Sequence, residues 1–348
     1  MSIAETRITT VIPTFGRPRL VTRAIRSVLS QSFRSFEVHV WDNASGDDTR
    51  AVVERLARED PRVKYFAQPK NVGPWQNFQI GLEHVNTPYF NFLSDDDFLL
   101  PGFFEAAIER LERGSELTMF AGATVRLAPR FIIAPVLAWR DGIYSPSEAL
   151  IEMARRGFPD WNAILFRKSV SERIGGLDVT FENAFDEEFI CRYASTGSIA
   201  VSPSAFAVLT LHGGSQSSVR WSPAFHGSLR LAVHERLQRL PWLDDSSRAA
   251  LAVLRQEIGR EIFEKSVAAA VSDQPEKALD GAELLARQFK VSTRAAILRT
   301  LAGDNLFGVA LRFNCNLALK LKRPLSYWIN SRRYRQFTGL VNSALQVQ

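Results

Sequence analysis

Cysteine is nearly absent from this chain of 348 residues, with Cys191 and Cys315 the whole complement. Two thiols cannot build the disulfide framework of a small secreted domain, and their scarcity points to a reducing compartment. Long apolar runs are missing too. The longest, Phe131–Trp139, contains Pro135 and falls far short of the roughly 20 residues a membrane-spanning helix needs. The opening stretch MSIAETRITTVIPT has neither a basic n-region nor an extended apolar h-region, so no secretory signal is expected. No G-x-G-x-x-G follows the first apolar segment and no P-loop occurs, which excludes the usual dinucleotide and P-loop folds. Internal repeats and low-complexity tracts are lacking as well.

Acid disappears beyond Asp304. Arg312, Lys320, Lys322, Arg323, Arg332, Arg333 and Arg335 then stand unopposed, and they outweigh the net charge of +6 for the whole chain. The basic character therefore belongs to the tail, and the rest is close to neutral. In that tail Tyr327, Trp328 and Tyr334 interleave with the arginines. Such a pattern suits an anionic membrane surface or a nucleic acid, or it is a solvated basic helix end packed on its own domain. Residues 305–348 are expected to meet an anionic membrane surface, and no nucleic-acid partner is expected.

What is present is an ordinary globular composition, 46% hydrophobic and 23% charged, in a chain longer than one typical domain. ITTVIP (residues 8–13), FEVHVW (36–41), Val63–Phe66 and Tyr89–Leu93 read as strands. Helical spacing separates them over Leu20–Ser30, Arg50–Arg58 and around Asn77–His84. This alternation predicts an α/β doubly wound sheet in which each strand delivers polar residues to one edge. After Trp221-Ser222-Pro223 only helices are expected, over Leu229–Leu240, Ser246–Ala270, Pro275–Lys290 and Thr293–Leu301. The predicted division is therefore residues 1–224 and a helical domain over residues 225–348.

The strand ends carry the chemistry. YFNFLSDDDFLLPG, Tyr89–Gly102, runs from an apolar segment into Asp95, Asp96 and Asp97. Adjacent carboxylates need nearby positive charge or open water. Either this is a solvated turn capping the helix near Gly102, or its hard oxygens hold Mg²⁺ or Mn²⁺ with a substrate's phosphates. Thr14 offers a hydroxyl and Arg17 a fixed charge just after the first strand. Asp42 either accepts a hydrogen bond from a nucleobase or makes an Asx-turn. Trp161 and Asn162 stand ahead of a strand at Ile164–Phe166, where Trp161 is either a sugar platform or core.

With PTFGRP, VWDNASGDDT, NVG and FLSDDDFLLPG in this order, the chain resembles family 2 glycosyltransferases of the GT-A fold. The resemblance continues through AILFRKSVSERIGGLD (residues 163–178), AFDEEFICRYA (184–194) and TLHGGSQSS (210–218), covering roughly residues 6–220. Four positions depart from the family pattern: Ser94 for the first Asp of Asp-x-Asp-Asp, Leu177 for Phe, Phe185 for Glu and Thr210 for Arg.

The resemblance implies a Rossmann-like, mostly parallel sheet sandwiched by helices, and an inverting, nucleotide-sugar-dependent transferase. It assigns the base to Asp186, with Glu187 and Glu188 in reserve. The metal, Mn²⁺ or Mg²⁺, falls to Asp96, Asp97 and His212. A UDP-, GDP- or dTDP-sugar is expected at Pro13, Thr14, Arg17, Asp42, Asn71, Gly73, Asn77, Asp95 and Asp96. A glycan or lipid-linked acceptor is expected at Trp161, Asn162 and Glu187. Bacterial surface polysaccharide is the product class implied, made in the cytoplasm or on the inner face of its membrane. The rival reading is a non-catalytic nucleotide- or carbohydrate-binding protein on a degenerate transferase fold, and Ser94 is the residue that favours it.

Overall fold

A computed structural model describes residues 6–128, 131–133, 137, 139–211, 222–272 and 274–303. The alternation read from the sequence is present. β1 (Ile8–Thr14), β2 (Phe36–Asp42), β3 (Val63–Ala67) and β4 (Tyr89–Phe92) are joined by α1 (Pro18–Leu29), α2 (Thr49–Glu59) and α3 (Pro74–Glu83). β1 is rich in β-branched residues and buried at every position, as a central strand requires. Pro18 and Pro74 each open a helix where a missing N–H costs nothing. A Cβ on Gly81 would lie 2.4 Å from Val11 Cγ1, so glycine is what lets α3 lie against β1.

These strands run parallel in the order β3-β2-β1-β4. Beyond β4 the sheet becomes mixed. β9 (Ile164–Arg167) is antiparallel to β4 and to β6 (Leu117–Ala128), while β10 (Ser198–Thr210) runs parallel to β6. The short strands β5 (Phe98–Leu99) and β8 (Gly142–Tyr144) pair antiparallel with β10, and β7 (Phe131–Ile133) with β6.

One face of the sheet is covered by α1, α2 and α4 (Phe103–Leu111), through Val21, Ile25, Val53 and Phe104. The other is covered by α3, α5 (Pro146–Arg156), α6 (Lys168–Ile174) and α7 (Phe185–Ala194). The C-terminal helices follow the sequence reading closely, at Pro223–Gln238, Asp245–Val271, Pro275–Phe289 and Ser292–Ala302. The first begins earlier than its spacing suggested, because Ser222 Oγ accepts from Phe225 N at 3.0 Å and Pro223 follows it. Leu231, Leu251, Ile258 and Leu285 belong to one apolar cluster with Phe92, Phe166 and Phe189. The core is thus continuous from the sheet into the helices. Among the described residues no helix is long and apolar enough to cross a membrane.

Candidate active site

A cavity of about 730 Å³ lies where the strands deliver their carboxyl ends. Thr14 ends β1, Asn43 follows β2, Ser94 follows β4, and Arg126 and Leu209 sit side by side at the ends of β6 and β10. Ligands of open α/β sheets bind at this edge.

The acidic loop is held from three sides. Thr14 Oγ1 donates to Asp95 Oδ2 at 2.7 Å, and Arg17 Nη1 donates to Asp95 Oδ1 at 3.0 Å and Asp96 Oδ2 at 2.8 Å. Asp97 is 3% exposed and turns inward. Its Oδ1 accepts from Thr210 N at 2.7 Å and its Oδ2 from Asn162 Nδ2 at 2.9 Å. Burial, with Asp96 and Asp160 beside it, pushes the Asp97 carboxyl well above the usual range. Burial likewise raises Asp95, opposed by the charge of Arg17 and the hydroxyl of Thr14. The triplet is therefore not a solvated turn: α4 is preceded by Gly102 with φ 83°, and no side chain caps it.

Position 210, a threonine, is nevertheless served by an arginine. Arg23 on α1 donates to Thr210 Oγ1 at 2.9 Å and to the Asp96 carbonyl, with its guanidinium 4.8 Å from the Phe98 ring centre.

Asp42 and Gly73 do not reach the cavity wall. Asp42 is 4% exposed, and both its oxygens are engaged, Oδ2 by Tyr65 Oη at 2.6 Å and Oδ1 by Ser45. It shapes the loop from which the next residue, Asn43, reaches the wall. Asn43 Nδ2 in turn donates to Asn71 Oδ1 at 3.0 Å, and Asn77 Nδ2 donates to the Trp41 carbonyl at 2.8 Å. Pro13, Thr14 and Arg17 line the cavity as expected, and so do Asn71 and Asn77. Phe15 lines it too and is 50% exposed, a position the sequence reading did not single out.

Across the cavity stand Trp75, Phe78, Trp161 and Phe185. Trp161 is only 8% exposed, with its ring centre 4.4 Å from Phe78 and 4.9 Å edge-on to Phe185. It is mainly core, with one edge on the wall. Phe185, where the family pattern has Glu, fills this aromatic group and is buried. Asn162 is a bridge. Its Nδ2 also meets Asp160 Oδ1 at 2.8 Å, and its Oδ1 accepts from Ser94 N at 2.9 Å.

Asp186 lies in the first turn of α7 and opens onto the same cavity. It is not the N-cap, which is Ala184. Burial, then the charges of Glu187 and Asp160, push its carboxyl up to about 7. The other two acids of this turn have separate partners. Glu187 Oε2 meets Arg230 Nε at 3.1 Å, while Glu188 is buried against Arg192 at 2.6 Å.

Asp160 and Arg126 are wall residues that the sequence reading missed. Arg126 carries the lone charge of its strand, and that isolation was a signal available in the sequence.

Hard carboxylate oxygens suit a divalent ion. Among the described residues no group of three His, Cys, Asp or Glu is arranged to hold one, and His212 lies outside them. Asp95 and Asp97 have both oxygens bonded to protein. Asp96 Oδ2 is held by Arg17 as well, so the donor set does not fit an all-protein cage, and a cation here would have to be shared with a substrate's phosphates.

Residues 9–175 match the family model described as Glycosyl transferase family 2. A Campylobacter jejuni GalNAc(5)-diNAcBac-PP-undecaprenol beta-1,3-glucosyltransferase is 37% identical over 109 residues, 31% of this chain and 35% of that one. The chain thus spans about a third of that relative's length, and 18% of an uncharacterized glycosyltransferase from Rickettsia conorii. The succinoglycan biosynthesis protein ExoO of Rhizobium meliloti is 27% identical over 233 residues, 61% of this chain and 63% of that one. Among solved structures, S. aureus TarS 1-349 in complex with UDP-GlcNAc superposes with a TM-score of 0.64 at 15% identity, covering 92% of each chain. The mannosyltransferase PcManGT of Pyrobaculum calidifontis, in complex with GDP-Man and Mn2+, does so at 0.59 and 14%, over 99% of this chain and 86% of that one. Residues 9–175, just under half of the chain, are thus similar to glycosyl transferase family 2, and the chain has a GT-A fold followed by a helical C-terminal region.

Proposed function

We propose that the protein moves a sugar from a nucleoside-diphosphate sugar to a hydroxyl of a glycan, lipid-linked or other glycoconjugate acceptor, with inversion. The observation that carries this reading is the shared cavity, which joins the acidic loop behind Arg17 to a carboxyl group of raised pKa on α7. A UDP-, GDP- or dTDP-sugar would lie along Pro13, Thr14, Phe15 and Asn71. Asp96 would face a Mn²⁺ or Mg²⁺ ion, which when bound neutralises charge on the diphosphate. Arg17 holds the loop, and Arg126 offers a further cation at the wall. Relatives named for glycan and succinoglycan synthesis favour a role in bacterial surface polysaccharide biosynthesis.

Asp186 would take the proton from the acceptor hydroxyl as its oxygen attacks the anomeric carbon, while the nucleoside diphosphate leaves from the opposite face. One base in one displacement inverts that carbon. A base works best with a pKa near the working pH, and burial beside Glu187 and Asp160 supplies it. Trp161 and Phe185 would present aromatic edges to the acceptor. The basic tail, outside the described residues, would hold the protein on an anionic membrane surface at the inner face of the membrane.

The rival, a binding protein without turnover, draws on Ser94, which contributes its backbone N–H to Asn162 in place of a carboxylate to the cavity. A panel of nucleotide-sugars screened with Mn²⁺, Mg²⁺ or EDTA separates the two. The transferase reading expects one nucleotide class to raise the melting temperature in a metal-dependent way and to be slowly hydrolysed. Stabilisation without hydrolysis or transfer supports the rival, and no stabilisation by any donor overturns the transferase reading and the nucleotide-binding form of the rival.

A further inference from the structure

We propose that Arg230, on the helix Pro223–Gln238, is a positioning residue for Asp186, so that the helical region completes the active site. This rests on the reading of Asp186 as the base.

The first turn of α7 presents Asp186, Glu187 and Glu188 in succession. Three adjacent acids at one helix start repel one another, and each needs its own answer. Glu188 is buried against Arg192. Asp186 opens to the cavity, and the charges that bear on its carboxyl are those of Glu187 and Asp160. Glu187 is met by Arg230, whose Nε lies 3.1 Å from its Oε2. Arg230 is itself only 8% exposed, so this pair is largely withdrawn from solvent. The two atoms meet through charge rather than through a hydrogen bond, and removing one partner leaves a buried charge uncompensated.

Arg230 has two further points of attachment. Its Nη1 donates to Glu261 on the helix Asp245–Val271, where Lys265 also pairs with Glu261. Its guanidinium lies 4.9 Å from the ring centre of Phe158, a wall residue two positions before Asp160. One side chain therefore ties α7 and the Phe158–Asn162 segment to the helical region. Those two elements carry Asp186 and Asp160. His226, 4.0 Å from Glu187, supplies no counter-charge near neutrality, because burial with Lys265 and Arg230 nearby lowers it to about 4.

The groups facing Asp186 are Glu187 on its own helix and Asp160 across the cavity, with Arg230 and neutral His226 behind Glu187. Glu261 and Lys265 stand behind Arg230. Without Arg230, Glu187 is left uncompensated next to Asp186. Ionising Asp186 then becomes harder, and the wall that orients it loses an anchor.

The test reads the titration of Asp186 without needing turnover. Thermal stability is measured across pH for the full chain and for Asp186→Asn, each with Arg230 intact and with Arg230→Met. The pH-dependent part of the difference within each pair reports Asp186 alone. Arg230→Met is expected to move its midpoint upward by about one pH unit, the size of a neighbouring-charge effect. Arg230→Lys, which keeps the charge, should move it less. UDP or GDP binding, each nucleotide titrated alone, should stay within about twofold, since Pro13, Thr14, Phe15 and Asn71, where the nucleotide is proposed to lie, are untouched. With a turnover assay in hand, kcat should fall about tenfold and KM for the donor little. A midpoint that does not move in Arg230→Met overturns the proposal. If that variant does not fold, Glu187→Gln decides instead: the midpoint should fall, and an unmoved one overturns the proposal equally. A wild type without turnover counts against the transferase reading and leaves this test standing.

Discussion

Asn162 donates its amide nitrogen to Asp97 Oδ2 at 2.9 Å and accepts the Ser94 N–H at 2.9 Å. One side chain thus staples the acidic loop after β4 to the segment that leads into β9. Asn162 is 1% exposed, so nothing replaces these bonds when it is removed. Asn162→Ala is expected to destabilise the fold by about 2–4 kcal/mol, from unpaired buried groups at two places. Urea unfolding checks this. A loss under about half a kilocalorie per mole would mean that water reaches the loop and the staple is dispensable.

Asp96 and Asp97 should behave differently although they are neighbours. Asp96→Ala removes the carboxylate facing the cavity, and it should abolish Mn²⁺-dependent nucleotide binding while leaving a folded protein. Asp97→Asn keeps one acceptor for Thr210 N but turns an amide nitrogen toward Asn162 Nδ2, so the fold should weaken yet survive, and metal-dependent binding should weaken less. Calorimetry with UDP and GDP, with and without Mn²⁺, separates them. Equal loss in both variants would make Asp97 a ligand that turns outward on binding.

The pKa of Asp186 fixes the sign of a stability effect. Its folded value is about 7, against an ordinary 3.8. The folded state therefore binds the proton more tightly, and wild-type stability should fall as pH rises from about 4 through 7, then level off. Asp186→Asn cannot titrate. It should match the wild type near pH 4 and exceed it above pH 7 by about 4 kcal/mol, because the shift spans about three tenfolds in proton affinity, each worth about 1.4 kcal/mol. Melting curves across this range check it. A variant less stable than wild type at pH 8 would show that the Asp186 carboxylate has a favourable partner.

Residues 305–348 carry the unopposed basic charge and lie outside the described residues. Their removal should weaken binding to anionic liposomes and leave nucleotide affinity nearly unchanged. The attraction should fade with salt, because the Debye length shrinks to about 3 Å at 1 M. An intact chain that ignores anionic vesicles at low salt would remove the membrane surface from the account.

Much of this was legible in the sequence because it is local. Apolar runs ending near Thr14, Asp42 and Asp95 announced strands and the edge where they end, and helical spacing located the C-terminal helices. What stayed hidden depends on partners brought from elsewhere. Asp42 looked available to a base, yet Tyr65 from the neighbouring strand occupies it. Trp161 reads equally as core or platform in the sequence, and it is Phe78 and Phe185, from distant segments, that enclose it. Arg126 became a wall residue only through the register that sets it beside Leu209. Phe185, out of place as a substitute for Glu, proved to be part of an aromatic wall that no single motif contains. Arg230 lies in a region whose composition says helix and nothing more.

The central claim is that Asp186 is the base of a sugar transfer, and one comparison tests it most directly. Asp186→Asn preserves the shape of the side chain, so donor affinity should stay within about twofold of wild type. Loss of a general base typically costs about 10²–10⁴ in rate, and transfer should therefore slow by at least about a hundredfold. Transfer measured at saturating donor, beside calorimetric donor affinity in the same preparation, gives both numbers. Intact affinity with transfer lost is the expected result. Transfer by Asp186→Asn at the wild-type rate would contradict the account.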